Sequence, residues 1–124
     1  MELSKPLRGE IWMFDLNPKK GREQKGVRPC LVMSTDALNR SEFGTVIICP
    51  ITTVERPRFK WRVALTPSDL RLTDTSWQPK PHWVETDQIV TVDTRHRALR
   101  HLATILNRDN LRLVEVSLRM MLNL

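Results

Sequence analysis

Three short apolar runs, each stopped by turn-forming residues, constrain this chain more than any other feature. Glu10-Ile11-Trp12-Met13-Phe14-Asp15-Leu16 is rich in aromatic and branched side chains and reads as a strand; Asn17-Pro18-Lys19-Lys20-Gly21 ends it with turn chemistry. Pro29 to Ser34 (Pro-Cys-Leu-Val-Met-Ser) is too apolar to be half exposed, and Thr45 to Cys49 (Thr-Val-Ile-Ile-Cys) reads as a further buried strand, closed by Pro50. Asp36 to Asn39 fits one helical turn. Lys60 to Leu65 alternates polar and apolar residues as a half-buried strand does, and Trp83-Val84, Ile89 to Val92 and Leu102 to Leu106 give further short strands. Thr66 to Pro81 carries three of the eight prolines and reads as an irregular surface excursion. From Arg108 onward Leu111, Val114, Leu118 and Leu122 recur at helical spacing, with Asn107 as N-cap. Many short strands and one terminal helix predict an α+β, mainly β architecture: a small partly open barrel with a C-terminal helix. A short tail, residues 1–6, precedes a single domain, 7–124.

At 124 residues the chain is long enough to bury a core without staples. Its 20 Lys and Arg against 14 Asp and Glu give a net charge of +6. A small basic domain attracts polyanions: nucleic acid, an anionic membrane surface or an acidic protein. Nucleic acid is the first expectation, because no amphipathic membrane helix is evident. Cys30 and Cys49 each sit inside an apolar run and read as small buried hydrophobes; two cysteines are no secreted disulfide framework. The opening Met1 to Pro6 lacks the apolar stretch of a signal peptide, and no run reaches transmembrane length, so the cytoplasm is the expected compartment and no membrane partner is expected.

Common enzyme signatures are missing. The chain has four glycines and no phosphate-cradling glycine-rich loop, no zinc-ligand spacing and no Gly-x-Ser-x-Gly elbow. His96 and His101 lie among arginines and read as solvated; His82, between Pro81 and Trp83, reads as a packing or turn residue. Polar density is highest in Gly21-Arg22-Glu23-Gln24-Lys25-Gly26-Val27-Arg28-Pro29, flanked by glycines that permit unusual backbone angles. A solvated charged hairpin is the plain reading of that spacing. Arg28 stands out, because an arginine at the mouth of an apolar strand can grip a phosphate with two parallel hydrogen bonds. Thr52 and Thr53, after the third strand, either cap backbone groups or bond a phosphate.

Taken together, Arg8-Gly9-Glu10-Ile11-Trp12, then Leu16-Asn17-Pro18, then the Gly21–Pro29 loop resemble the opening of the MazF/PemK toxins. The family's loop pattern G-x-E-Q-x-G-x-R-P is met in full by Gly21, Glu23, Gln24, Gly26, Arg28 and Pro29. The similarity continues through Asn39-Arg40, Pro50-Ile51-Thr52, Asp87-Gln88-Ile89, Thr91-Val92-Asp93 and the ending Leu122-Asn123-Leu124.

That resemblance implies an SH3-like barrel that acts as a homodimer and cuts single-stranded RNA at short sequences, with no metal and no cofactor. The RNA's own 2′-hydroxyl attacks the adjacent phosphorus, leaving a 2′,3′-cyclic phosphate or 3′-phosphate and a 5′-hydroxyl, so the protein supplies no nucleophile. Arg28 matches the family's catalytic arginine and is expected to stabilise phosphate charge; Thr52 matches the hydroxyl that bonds the scissile phosphate; Glu23 is the first candidate for the base. Arg22, Gln24, Thr53, Asp87 and Gln88 are expected RNA contacts. Trp61 falls where relatives place an aromatic, to stack on a base or to fill the core. Three positions depart from the family's pattern: Arg22 stands where PemK-type members carry a histidine, Glu85 where the same subgroup has an arginine, and Val90 where many relatives have a cation. The partner implied is an antitoxin whose extended acidic segment blocks the RNA groove. Two other readings remain beside the nuclease: a gyrase poison like CcdB, and a non-catalytic RNA- or protein-binding barrel whose site has decayed.

Overall fold

A computed structural model describes residues 5–124. Its elements are β1 (Glu10–Asp15), β2 (Val27–Val32), α1 (Asp36–Asn39), β3 (Thr45–Thr52), β4 (Val63–Leu65), β5 (Leu70–Leu72), β6 (His82–Val84), β7 (Val90–Asp93), α2 (Thr94–Arg97), β8 (Ala98–Ile105) and α3 (Arg108–Leu122), with short 3₁₀ turns at Pro67–Asp69 and Thr86–Gln88. The strands hydrogen-bond in the order β4-β6-β3-β2-β1-β8-β5, with β7 also on β3, and every pairing is antiparallel. Helix α3 packs against β4 at one end of this order and β8 near the other. One helix reaches both only because the sheet curls, giving the mainly β, partly open barrel with a C-terminal helix.

Period-2 alternation explains the two cores. Ile11, Leu31, Cys49 and Ile51 face one cluster, joined by Val84, Leu102 and, from α3, Val114. Trp12, Phe14, Cys30, Val32, Val46 and Ile48 face a second cluster on the other side. The central strands therefore bury both faces, which is why their sequences are apolar without alternation. Each fully buried Ile, Leu or Phe contributes roughly 1.5–3 kcal/mol relative to exposure. Both cysteines are free and buried, as expected. Among the described residues no helix is long and apolar enough to cross a membrane.

Several boundaries differ from the sequence reading. Pro50 lies inside β3 instead of closing it. The outer edge of β3 pairs with β7 as far as Ile48 and with β6 from Ile51, so Pro50, which has no N–H, sits where the ladder changes partner. Its carbonyl still accepts from the Glu85 amide at 2.9 Å. Arg28 is likewise inside a strand, opposite Phe14 of β1, not at its mouth. Lys60 to Arg62 form a turn before β4: the Trp61 carbonyl is taken by the hydroxyls of Thr86, at 3.0 Å, and Ser117. The Thr66–Pro81 stretch contains β5, whose Leu70 is buried opposite Ile105 of β8; three residues are too few to show a period. β8 starts at Ala98, well before Leu102.

On α3, Asn107 caps as expected, accepting from the Asp109 amide at 2.8 Å, but Leu122 is 52% exposed. His101 is not solvated: it stacks on Trp12 with ring centroids 5.2 Å apart. His96 is exposed, and His82 is buried with Nδ1 2.6 Å from the Lys80 carbonyl, as a packing residue should be. Residues 1–4 of the expected tail lie outside the described residues; Lys5 bonds the Arg40 and Ser41 carbonyls through Nζ, and Pro6 is buried.

Candidate active site

Adjacent strands bring the first two candidates together. β2 and β3 pair Cys30 with Pro50 and Leu31 with Cys49; extending that register by two residues sets Arg28 opposite Thr52 on one face. β6 pairs with the end of β3, Thr52 opposite Trp83, and delivers Glu85, Asp87 and Gln88 to the same place. The Gly21–Gly26 loop closes over it, with both glycines at positive φ (59° and 87°), where a side chain would be strained.

These elements surround a cavity of about 800 Å³ whose walls include Arg22, Gln24, Arg28, Thr52, Asp87 and Gln88. Six of the nine residues expected from the sequence thus share one cavity. Three do not line it. Glu23 faces a smaller neighbouring cavity of about 220 Å³ and makes a 3.9 Å ion pair with Lys19. Thr53 lines another neighbour of about 430 Å³, which Arg28 and Thr52 share. Trp61 stacks on Phe59 at 4.9 Å, and it is Phe59 that reaches the large cavity.

The cavity is strongly cationic. Arg22, Arg28, Arg56, Arg58 and Arg62 line it against only Glu55 and Asp87. Beneath it lies Glu85, fully buried. Its carboxylate is 3.0 Å from Arg62 Nη2 and 3.7 Å from Arg28 Nη1, and it accepts from Gln24 Nε2 at 2.5 Å. Burial pushes the Glu85 carboxyl above the usual range, even though Gln24, Arg62 and Arg28 pull the other way. Asp87 is held low: burial raises it, but the hydrogen bond and charge of Arg62 outweigh that. Arg62 reaches Asp87 with Nε at 3.2 Å and Nη2 at 3.3 Å, and its guanidinium lies 4.9 Å from the Phe59 ring centre. Thr52 Oγ1 accepts from the Val54 amide at 3.1 Å, which leaves its own proton to donate. Gln24 and Gln88 are joined, the Gln24 amide donating to Gln88 Oε1 at 3.2 Å. Such a site can bind an extended polyanion and offer guanidinium and hydroxyl donors to one phosphate.

Sequence reasoning missed Arg56, Arg58, Phe59 and Arg62, and the role of Glu85. A signal was present. Arg56-Pro57-Arg58-Phe59-Lys60-Trp61-Arg62 interleaves cations with aromatics, the pattern of a nucleic-acid surface, but its last residues also alternate like a strand.

Comparisons with known proteins show the family and the fold. The model of the PemK-like, MazF-like toxin of type II toxin-antitoxin systems matches residues 7–122. The chain is 44% identical to endoribonuclease PemK of Escherichia coli over 36% of its own length. It is 35% identical to endoribonuclease MazF9 of Mycobacterium tuberculosis over 48% of its length. The matched segments span 33% and 53% of those relatives' own lengths. The crystal structure of MazF from Deinococcus radiodurans superposes with a TM-score of 0.82 at 26% identity, over 98% of this chain and 99% of that one. With a family match across nearly its whole length, the chain belongs to the PemK-like, MazF-like toxins of type II toxin-antitoxin systems.

Proposed function

We propose that this protein is a sequence-specific endoribonuclease that cuts single-stranded RNA by attack of the RNA's own 2′-hydroxyl, without a metal ion. The observation that carries the reading is the pairing of Arg28 with Thr52 on the wall of the arginine-lined cavity. In-line attack leaves a crowded phosphate with extra negative charge. Arg28 answers that charge, its Nε already fixed by the Lys25 carbonyl at 3.1 Å. Thr52 adds a neutral donor. Phe59 offers a face for a base, and Trp61 stiffens it from behind. Glu23 keeps the role of base: it lies in the loop that flanks the cavity, and both of its contacts, the 3.9 Å ion pair with Lys19 and the 3.4 Å hydrogen bond from the Lys20 amide, are long enough to be exchanged for a bound 2′-hydroxyl. Arg22, Gln24, Thr53, Asp87 and Gln88 touch the RNA along the cavities on either side. As the P–O2′ bond forms the P–O5′ bond breaks; the 2′ proton passes to Glu23 and the departing 5′-oxygen takes a proton from solvent, which leaves a 2′,3′-cyclic phosphate, opened by water to a 3′-phosphate, and a 5′-hydroxyl.

We further read the protein as a homodimer, neutralised by an antitoxin whose acidic extended segment occupies the same groove. The matched family is by description the toxin half of such a pair, and the +6 chain with its five-arginine cavity suits an acidic occupant. Purified protein incubated with long single-stranded RNA in EDTA, with the cut ends mapped by sequencing, tests the reading. Cuts at one short motif are expected, with Arg28→Ala slowing them at least ~10²-fold. Intact protein that binds RNA but never cuts it would point to the decayed barrel; protein that does neither, to a topoisomerase target.

A further inference from the structure

We propose that Glu85 is a positioning residue that holds Arg28 and Arg62 side by side as a two-guanidinium clamp on the RNA phosphate, making Arg62 a second cation that touches substrate. The inference rests on the endoribonuclease reading of the same cavity.

Glu85 sits under the cavity floor with no exposure, between the two guanidiniums: Oε2 is 3.0 Å from Arg62 Nη2, Oε1 is 3.7 Å from Arg28 Nη1. Burying a carboxylate is unfavourable, and apolar residues of similar volume often serve stability as well or better. Oε2 takes Gln24 and Arg62, but Oε1 is buried without a hydrogen-bond partner and faces Arg28, so half of the carboxylate is left unsatisfied. What it does supply is charge between two arginines that would otherwise repel. Each arginine is fixed from a second side as well: Arg28 by the Lys25 carbonyl, Arg62 by Asp87 and by the ring of Phe59. Arg62 lines the cavity, and none of the hydrogen bonds or ion pairs among the described residues engages its Nη1. Two guanidiniums held on the wall of one cavity need little reorganisation when charge builds on the phosphate.

The titratable and charged groups facing Glu85 are Arg28 and Cys30 from β2, Cys49 from β3, Arg62 ahead of β4, and Asp87 from the following turn, beside the neutral amide of Gln24. Burial pushes both thiols up, Cys49 to about 12, so neither carries charge at neutral pH. Asp87 is held low and stays ionised. As the medium is acidified, Glu85 is the member of this set that takes up a proton first, and the clamp then loses its centre.

The test uses wild-type protein, Glu85→Gln and Arg62→Gln, each checked for an unchanged melting transition. Single-turnover cleavage of RNA is measured across pH, beside salt-dependent binding of an oligonucleotide 2′-deoxy throughout. Expected are a ~10²-fold slower cut in both variants, a double variant no slower than either, and a smaller acid-side decline in Glu85→Gln than in the wild type. Arg62→Gln should also reduce the salt slope of binding by about one. Both variants cutting at the wild-type rate, with the pH profile and salt slope unchanged, overturn the clamp. If wild-type protein does not cut, the nuclease reading falls, and the salt slope alone decides whether Arg62 touches phosphate.

Discussion

Glu85 and His82 are both buried beside the arginine-lined cavity and its neighbour, and burial moves their proton affinities in opposite directions because it disfavours the charged form of each. For His82 this has a stability consequence. Its pKa lies below the ordinary 6.5, since burial outweighs the Lys80 carbonyl and the charge of Asp69. Below about 6.5 the unfolded chain therefore binds a proton that the folded chain refuses, so stability rises with pH through this window and is lost as the pH falls. Melting followed from about pH 7.5 to about pH 5.5 should show the transition dropping in the wild type. In His82→Gln that drop should shrink; an identical drop in both would show that His82 does not govern it. The residue scale is also where the sequence was most and least legible. Arg28 and Thr52 could be named from it because each is carried by a local motif. Glu85 and Arg62 could not, because they lie 23 positions apart and meet only when β6 pairs with β4.

Helix α3 illustrates the same division at the scale of an element. Its inward stripe was readable from the period of Leu111, Val114 and Leu118, and those side chains do pack on the first core. Its outward stripe went unread, because a sequence does not say which of two apolar faces is covered. Leu113, Val116 and Met120 stand 55%, 49% and 61% exposed on the side away from that core. Three large apolar side chains on one exposed helical face support the homodimer reading. Replacing Val116 and Met120 together by lysine should leave the core intact, since neither is part of it, and should halve the mass measured by sedimentation. A doubly substituted protein that still sediments at the wild-type mass would place the dimer contact elsewhere. The short elements were the opposite case: β5 and the turn at Lys60–Arg62 are fixed by long-range partners, Ile105 for the first and Thr86 and Ser117 for the second.

Over the whole molecule, the apolar runs pointed to a partly open barrel with a C-terminal helix, which the structure shows, and the +6 charge made a polyanionic partner the expectation. Their convergence was not specified by either. The curl brings the ends of β2, β3 and β6 to one side, and there the basic, aromatic segment Arg56–Arg62 meets the glycine-bounded loop around a single cavity. In the function proposed above, this cavity cuts RNA by using the substrate's own 2′-hydroxyl. The most direct measurement takes an RNA oligonucleotide carrying one mapped cut site and replaces only the nucleotide 5′ to the cut by its 2′-deoxy form. Cutting at that bond is expected to stop while binding is kept, and the unmodified oligonucleotide is expected still to yield a 5′-hydroxyl end in EDTA. Continued cutting at the 2′-deoxy position would mean that the nucleophile comes from elsewhere, and would contradict the mechanism assigned to Arg28, Thr52 and Glu23.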